Sequence, residues 1–266
     1  MLDFALYTLL GAAIGTLGTL VGAGGGFILV PVLALLDPSM SPDAITAISL
    51  SVVCLNATSG SFAYARMRRI DYRSAFAFAA AGLPGSVVGA WTTHFIDRRV
   101  FDPLLGLLLL VGATLVIFKP VKADAAPDPN ATRRLADRSG TVHAYSPRIG
   151  PGLAIAMGVG FLSGLLGIGG GIIQVPAMVL LLGFPAHVAT ATSHFVLAML
   201  SLSGVTVHLV GGSLLPVAGR IAPLAIGVIG GAQLGARLST KIHVKWILRA
   251  LALALASVGV RLLLSR

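Results

Sequence analysis

Long apolar runs separated by short polar segments make up most of the chain. Six of them contain few charges: Phe4–Val21, Ala44–Ala65, Leu104–Phe118, Ile149–Leu166, Pro185–Val210 and Ile247–Leu264. A further run, Ser74–Phe95, is rich in Gly and Ala and is also expected to be helical. Because apolar runs of about 18 residues or more are typical of membrane-spanning helices, the pattern predicts an all-α polytopic membrane protein with roughly 8–10 transmembrane segments.

Two of the apolar regions are interrupted by similar glycine clusters, GAGGGFILVP at 22–31 and GIGGGIIQVP at 167–176. As a single helix, the segment from Phe4 to Leu36 would be about 50 Å long. That length is too great for one crossing of a hydrocarbon core of about 30 Å and slightly short for two. The spacing therefore predicts a hairpin of unequal arms whose glycine tip lies within the membrane.

The two glycine clusters are 145 residues apart, and matches at similar offsets extend over most of the chain. The matched positions are Pro31 with Pro176, 45–53 with 188–196, Gly60 with Gly204, Gly85 with Gly231, Gly89 with Gly235, and Ile96 with Ile242. These matches predict two homologous transmembrane repeats, 1–118 and 149–266, joined by a cytoplasmic linker at 119–148 that we expect to be mobile. Transporters are commonly built from such repeats, with the substrate bound near the midplane where the repeats meet.

The orientation of the second repeat does not follow from its charges, although the Arg-rich end of the first repeat orients that half well. Four basic residues (Arg237, Lys241, Lys245, Arg249) favour one orientation and three (Arg220, Arg261, Arg266) favour the other. The predicted hairpin leaves an odd number of crossings in the rest of each repeat. Inverted repeats are therefore predicted, and parallel repeats remain the alternative.

The composition excludes several classes of protein. Only 11% of the residues are charged, against about 25% in soluble domains. The net charge of +10 comes from basic residues at the ends of apolar runs, such as Arg66–Arg73, a pattern that membrane topology explains and that does not call for nucleic acid. The single cysteine, Cys54, rules out an internal disulfide. Apart from Asp43 no acidic residue lies near the proposed core, so neither a metal site nor a cofactor is expected.

The glycine clusters are the best candidates for a binding site. A broken helix exposes free N–H groups and the positive end of its dipole, and glycine lets an anion approach the backbone. The candidate ligands are these glycines and nearby polar residues: Gly24, Gly25, Gly26, Gly169, Gly170, Gly171, Ser49, Ser51, Asn56, Gln174, Thr190, Thr192, Ser193 and His194. The second repeat carries more of the polar residues and is expected to supply more of the ligands.

Each of these candidates also has a purely structural interpretation. The glycines could serve only for close helix packing, and the hydroxyl groups could bond back to their own helix. His194 could carry a coupled proton or could be a neutral packing residue. Ser193 and His194 are adjacent, so on a helix they point about 100° apart, which argues against a Ser–His hydrolase and predicts that the protein is not an enzyme.

With GAGGGFILVP, GIGGGIIQVP and ATATSH at 189–194, the chain resembles the TauE/SafE sulfite exporter family over nearly its whole length. The resemblance implies a multi-pass carrier of the bacterial inner membrane that moves sulfite, sulfoacetate or related small anions. Half one departs from the pattern at AISLS (47–51), where half two has TATSH. A channel, an uptake permease for another small anion, and a homodimer remain open alternatives.

Overall fold

The computed structural model describes residues 2–118, 131–239 and 256–264. The helices are α1 (Leu2–Val21), α2 (Gly26–Leu36), α3 (Pro42–Arg66), α4 (Tyr72–Thr93), α5 (Arg98–Phe118), α6 (Ile149–Leu166), α7 (Gly171–Leu180), α8 (Ala186–Val210), α9 (Ala218–Leu238) and α10 (256–264). Two strands, β1 (Arg133–Ala136) and β2 (Val142–Tyr145), separate α5 from α6. Predictions that involve 119–130, 240–255 or Arg266 lie outside the described residues, among them the match of Ile242, the charges at 241, 245 and 249, and the first part of the run at 247–264.

The helices confirm the prediction of an all-α polytopic membrane protein. Within the described residues six segments are long and apolar enough to cross a bilayer: Phe4–Val21, Pro42–Arg66, Tyr72–Thr93, Ile149–Leu166, Ala186–Val210 and Leu215–Leu238. The helices that follow the glycine clusters are much shorter, with 11 residues in α2 and 10 in α7. At about 1.5 Å per residue, each of these spans only about half of a hydrocarbon core.

After the first glycine cluster the chain folds back along α1. A Cβ placed on Gly25 would lie 2.6 Å from Ile14 Cγ2, and one on Gly18 would meet the backbone of Gly25. At its other end α2 is followed by Asp37, which pairs with Arg220 near the start of α9 at 3.1 Å. α1 and α2 therefore form the hairpin of unequal arms that the length of the segment predicts.

Each half packs its first helix against the other half. Along α9, the glycines 227, 231 and 235 meet in turn the backbone of Thr8, Ala12 and Thr16 of α1. Along α4, the glycines 82, 85 and 89 meet in turn the backbone of Ala156, Met157 and Phe161 of α6. In lipid, helices gain little from hydrophobic burial against each other, so close backbone approach through small residues provides the packing energy.

The matched helices α3 and α8 run antiparallel through the centre. Gly60 of α3 lies against His194 of α8, whereas Gly204, further along α8, lies against Leu50, earlier on α3. Equivalent helices of inverted repeats run in opposite directions, so this contact supports the inverted arrangement, which stays a prediction.

The described part of the linker differs from the mobile segment that we expected. Residues 133–136 and 142–145 form an antiparallel hairpin in the register Arg133 to Tyr145. Two ion pairs, Arg69 with Asp137 at 3.0 Å and Arg133 with Asp71, fasten it to the turn between α3 and α4. Tyr145 also donates a hydrogen bond of 2.9 Å to Asp71. The basic end of α3 thus serves as a docking site, which composition alone does not reveal.

We expect Gly231→Leu to destabilise the protein far more than Gly230→Leu. A Cβ at Gly231 would collide with the Ala12 carbonyl of α1, whereas one at Gly230 would have no heavy atom within 4 Å. Overpacking of this kind typically lowers stability by about 1–3 kcal/mol. Thermal unfolding in detergent measures the difference, and equal melting temperatures for the two variants would show that this contact does not limit stability.

The β1–β2 hairpin should remain docked on the turn between α3 and α4 down to about pH 4 and should detach as the pH falls toward 2. Burial raises the pKa of Asp137, but hydrogen bonds from Ser139, Arg69 and Thr141 outweigh it and bring the pKa to about 2. The pKa of Asp137 in the folded protein is below its unfolded value of about 3.9. The stabilisation from this carboxylate is therefore complete at pH values above the unfolded pKa and is lost as the pH falls through the folded pKa. Hydrogen exchange of the 131–148 peptides, corrected for intrinsic rates, tests this. Asp137→Asn should exchange at pH 7 as the unaltered protein does at low pH.

Candidate functional site at the two glycine breaks

The two glycine breaks have the same backbone conformation. Three glycines in each have positive φ angles: 81°, 79° and 84° at Gly22, Gly24 and Gly25, and 69°, 80° and 70° at Gly167, Gly169 and Gly170. This left-handed conformation is open to glycine without a steric penalty. It stops α1 and α6 and sets Gly25 and Gly170 as the N-caps of α2 and α7.

The two breaks touch each other reciprocally in the interior. A Cβ on Gly26 would lie 2.6 Å from the Gly167 oxygen, and a Cβ on Gly171 would lie 2.6 Å from the Gly22 oxygen. Both contacts need glycine, because any larger residue would push the breaks apart. The structure therefore brings together the two clusters that are 145 residues apart in the sequence.

The first N–H groups of α2 and α7 have no helical acceptor. Hydrogen bonding in α2 starts with Ile28 to the Gly25 oxygen, and in α7 with Ile173 to the Gly170 oxygen. Within the described residues, no backbone acceptor is bonded to the N–H groups of residues 25–27 and 170–172. Two positive helix ends thus meet at the centre of the molecule, which is the environment that proteins use to bind anions.

Two serines hold the carbonyl groups at the start of the breaks. Ser49 donates a hydrogen bond of 2.6 Å to the Gly167 oxygen, and Ser193 donates one of 3.4 Å to the Gly22 oxygen. Each serine thus crosses from one repeat to the other. These equivalent contacts pair Ser49 with Ser193, whereas the match of 45–53 with 188–196 pairs Ser49 with Thr192. The structural pairing is therefore shifted by one residue from the pairing that sequence identity gives.

His194, Thr19 and Asn56 form a buried polar chain that ends on the first break. Asn56 donates from Nδ2 to the Gly24 oxygen at 2.9 Å, so its Oδ1 accepts from the Thr19 hydroxyl, also at 2.9 Å. The hydroxyl proton is thereby used, and His194 Nε2, 3.2 Å from Thr19 Oγ1, must be the donor. The tautomer with hydrogen on Nε2 follows, and the other ring nitrogen remains an acceptor.

Several buried polar atoms around the breaks have no hydrogen-bond partner. They are Thr46 Oγ1, Ser163 Oγ, Gln174 Oε1 and His194 Nδ1. Thr46 packs against Gly167 through its Cα and methyl carbon, Ser163 against Gly170 through its Cβ, and Gln174 lies on the first turn of α7. Such atoms are rare in protein interiors and call for an explanation, such as a ligand or water. Within the described part of the chain, the buried charged residues are Asp71 and Asp137, and both lie where the β1–β2 hairpin docks. The centre is therefore polar without being charged.

The structure does not bring every candidate to the breaks. Ser51 donates to the Ala47 oxygen of its own helix at 2.7 Å, and the Thr192 hydroxyl accepts from the Asp71 N–H at 3.0 Å. Thr190 presents its methyl group to Gly22. Three residues that sequence reasoning missed lie at the centre: Thr19, Thr46 and Ser163. The position of Thr19, three residues before the first glycine of the break, was the only signal for them.

We expect Ser49→Ala to destabilise the protein, while Ser51→Ala should be nearly neutral. Ser49 satisfies a carbonyl of the other repeat, and an unsatisfied buried group costs about 1–3 kcal/mol. Ser51 bonds only within its own helix and sits on the same α3, so it is a matched control. Thermal unfolding of the two variants in detergent measures the effect. Equal destabilisation would mean that the bond to Gly167 does not hold the breaks together.

Comparison with known proteins places this architecture in a family. The family model described as sulfite exporter TauE/SafE matches residues 7–262. The chain is 33% identical to the probable membrane transporter protein YunE of Bacillus subtilis over 98% of both chains. It is 28% identical to the probable membrane transporter protein MJ0441 of Methanocaldococcus jannaschii, over 99% of this chain and 97% of that protein. No solved structure matches the chain. The chain belongs to the sulfite exporter TauE/SafE family and is a multi-pass transporter of the cytoplasmic membrane.

Proposed function

We propose that the protein is a secondary transporter that moves small sulfur-containing anions, such as sulfite or sulfoacetate, out of the cell. The anion binds at the glycine breaks near the midplane, and export is coupled to the proton gradient. The family's description supports the substrate class. The observation that carries the site is the meeting of two half-helix N-termini with free N–H groups.

The chemistry of the breaks fits an oxyanion better than a cation. Free N–H groups are donors only, and the two helix dipoles present their positive ends at the same place. Ser163 adds a hydroxyl whose oxygen has no partner, and the Gln174 amide can donate to an anion through its Nε2 group. An anion at this site would be bound by neutral donors, so it could also leave.

Closure of the site in the described structure fits one step of alternating access. Ala23, Phe27, Ser49, Asn56 and His194 are fully buried. The side chains of Val53 on α3 and Leu197 on α8 lie against the glycines of both breaks. A small relative movement of α3 and α8 would open the breaks toward one face or the other.

His194 provides a route for proton coupling. Its Nε2 hydrogen is committed to Thr19, so a second proton would go to Nδ1, which has no hydrogen-bond partner. That proton would add one positive charge next to the first break in a region without other charges. The charge of the loaded and empty site would then depend on the proton as well as on the anion.

We expect saturable transport of sulfite or sulfoacetate into proteoliposomes, with a rate that depends on an imposed pH gradient. Sulfite, sulfoacetate, taurine, sulfate and chloride should be compared both for transport and for thermal stabilisation of the purified protein. A carrier saturates, whereas a channel gives a current that rises linearly with concentration. Non-saturating current would contradict the carrier proposal, and transport of none of the sulfur-containing anions would contradict the substrate class.

Gln174→Leu should reduce transport by about tenfold or more without lowering the melting temperature. Leu29 occupies the matching position in the first break, so leucine is compatible with this backbone, and only the polar group is lost. Loss of one hydrogen bond to a charged ligand corresponds to about 1.5–3 kcal/mol. An unchanged rate would remove Gln174 from the site.

His194→Ala should flatten the pH profile of transport. An unchanged profile would remove His194 from coupling.

A further inference from the structure

Two histidines and an aspartate form a cluster at the end of the helix bundle opposite the β1–β2 hairpin. Asp43 lies on the first turn of α3, His94 is the C-cap of α4, and His208 lies on the last turn of α8. The nitrogen and oxygen atoms that they offer are all within 4.8 Å of one another. None of the three contributes to the glycine breaks.

The tautomer of His94 leaves a lone pair facing a carboxylate. His94 Nδ1 is 3.2 Å from the Ala90 oxygen, which can only accept, so Nδ1 carries the hydrogen. In the neutral ring Nε2 is then a lone pair, and it lies 3.5 Å from Asp43 Oδ1 without a hydrogen bond. Two electron-rich atoms at this separation repel each other unless a proton or a metal ion lies between them.

His208 completes the cluster from the other half of the chain. Its side chain is fully buried, and its Nδ1 lies 3.0 Å from the same Asp43 Oδ1 and 3.2 Å from Ser213 Oγ, so a metal ion bound there would replace any proton on this nitrogen. Its ring stacks on that of His94, with centroids 5.3 Å apart and planes at 17°. One carboxylate oxygen is therefore shared by two imidazoles that arrive from different helices.

We propose that Asp43, His94 and His208 bind a divalent transition-metal ion, for which Zn²⁺ is the best match. Imidazole nitrogens and carboxylate oxygens are common zinc ligands, at about 2.0–2.2 Å, which places neighbouring ligands about 3.3 Å apart in a tetrahedral site. The two edges from Asp43, 3.5 and 3.0 Å, lie on either side of that value. The hydrogen bond from His94 Nδ1 to the Ala90 oxygen is the outer-shell contact typical of a metal-bound histidine.

The cluster lies near the surface, although Asp43 Oδ1 and His94 Nε2 are themselves buried. The side chains of His94 and Asp43 are 23% and 22% exposed. Gly211 packs directly against this ring, since a Cβ there would lie 2.5 Å from His94 Nε2. His94 also lines a groove of about 620 Å³ between α4 and α8. A tetrahedral site on these three residues needs a fourth ligand, which a water molecule bound with the ion would supply.

An ion at this site would join the two halves of the transporter. Asp43 and His94 belong to the first repeat, while His208 belongs to the second, at the end of the α8 helix that packs against α3. Binding would hold the ends of α3, α4 and α8 together on the face opposite the hairpin. The ion would thus stabilise the described conformation, whatever substrate the breaks carry.

The test is direct metal binding by purified, chelator-treated protein carrying an affinity tag without histidines. We expect one Zn²⁺ per chain by titration calorimetry and a tetrahedral absorption spectrum when Co²⁺ is the probe. His94→Ala and Asp43→Asn should each weaken Zn²⁺ binding by more than about 100-fold, beyond the roughly 10–100-fold expected for loss of an outer-shell partner. Zn²⁺ should raise the melting temperature of the unaltered protein but not of these variants.

Matched controls come from the same elements. His187→Ala removes an exposed histidine from the other end of α8, and Asp97→Asn removes an exposed acid just after α4; neither should change the affinity. Should the buried His208→Ala variant fail to fold, the partly exposed His94 and Asp43 still provide the comparison. Absence of saturable Zn²⁺ binding, or binding that the His94 and Asp43 substitutions leave unchanged, would overturn the proposal. Because no readout depends on transport, failure of the transport proposal would not affect this result.

Discussion

The central constraint in this protein is the reciprocal contact between the two glycine breaks. Each break places a glycine against a carbonyl group of the other, Gly26 on Gly167 and Gly171 on Gly22. No side chain fits between these backbones, so the two short helices can start at the same place only if both positions are glycine. The free N–H groups of α2 and α7 are therefore concentrated at one point in the interior. Serines from the opposite repeats, Ser49 and Ser193, bond the carbonyl groups that form this contact.

The same principle extends outward through the helix pairs that surround the breaks. α1 lies on α9 and α6 lies on α4 through glycines that meet backbone atoms, as lipid-embedded helices require for close packing. Each pair joins the first helix of one repeat to a later helix of the other. The packing of each half is therefore completed only by the other half.

The polar groups at the centre are distributed unequally between the repeats. Ser163, Gln174 and His194 come from the second repeat, and among the unpartnered atoms beside the breaks Thr46 comes from the first. Yet His194 depends on Thr19 and Asn56 of the first repeat for its tautomer. This polar, uncharged environment is the feature on which the proposed anion site depends. The histidine–aspartate cluster at the bundle end is separate from these groups and joins the repeats at one face only.

The sequence by itself determined the membrane character and the short arms after the breaks, and it predicted the two repeats. These follow from local properties: the length of apolar runs, the absence of charge, and glycine patterns that recur 145 residues apart. It also indicated the two breaks as parts of one site, because matched breaks in repeated halves meet near the midplane. The tertiary structure decided which polar groups reach that site. Ser49 and Ser51 are two residues apart on one helix, yet one crosses to the Gly167 oxygen and the other bonds back to its own helix. Thr192 bonds to Asp71, where the β1–β2 hairpin docks, instead of reaching the breaks. Asp43, His94 and His208 meet although they lie at helix ends far apart in the chain. Helix rotation and crossing decide such contacts, and these depend on packing between distant segments rather than on any local pattern.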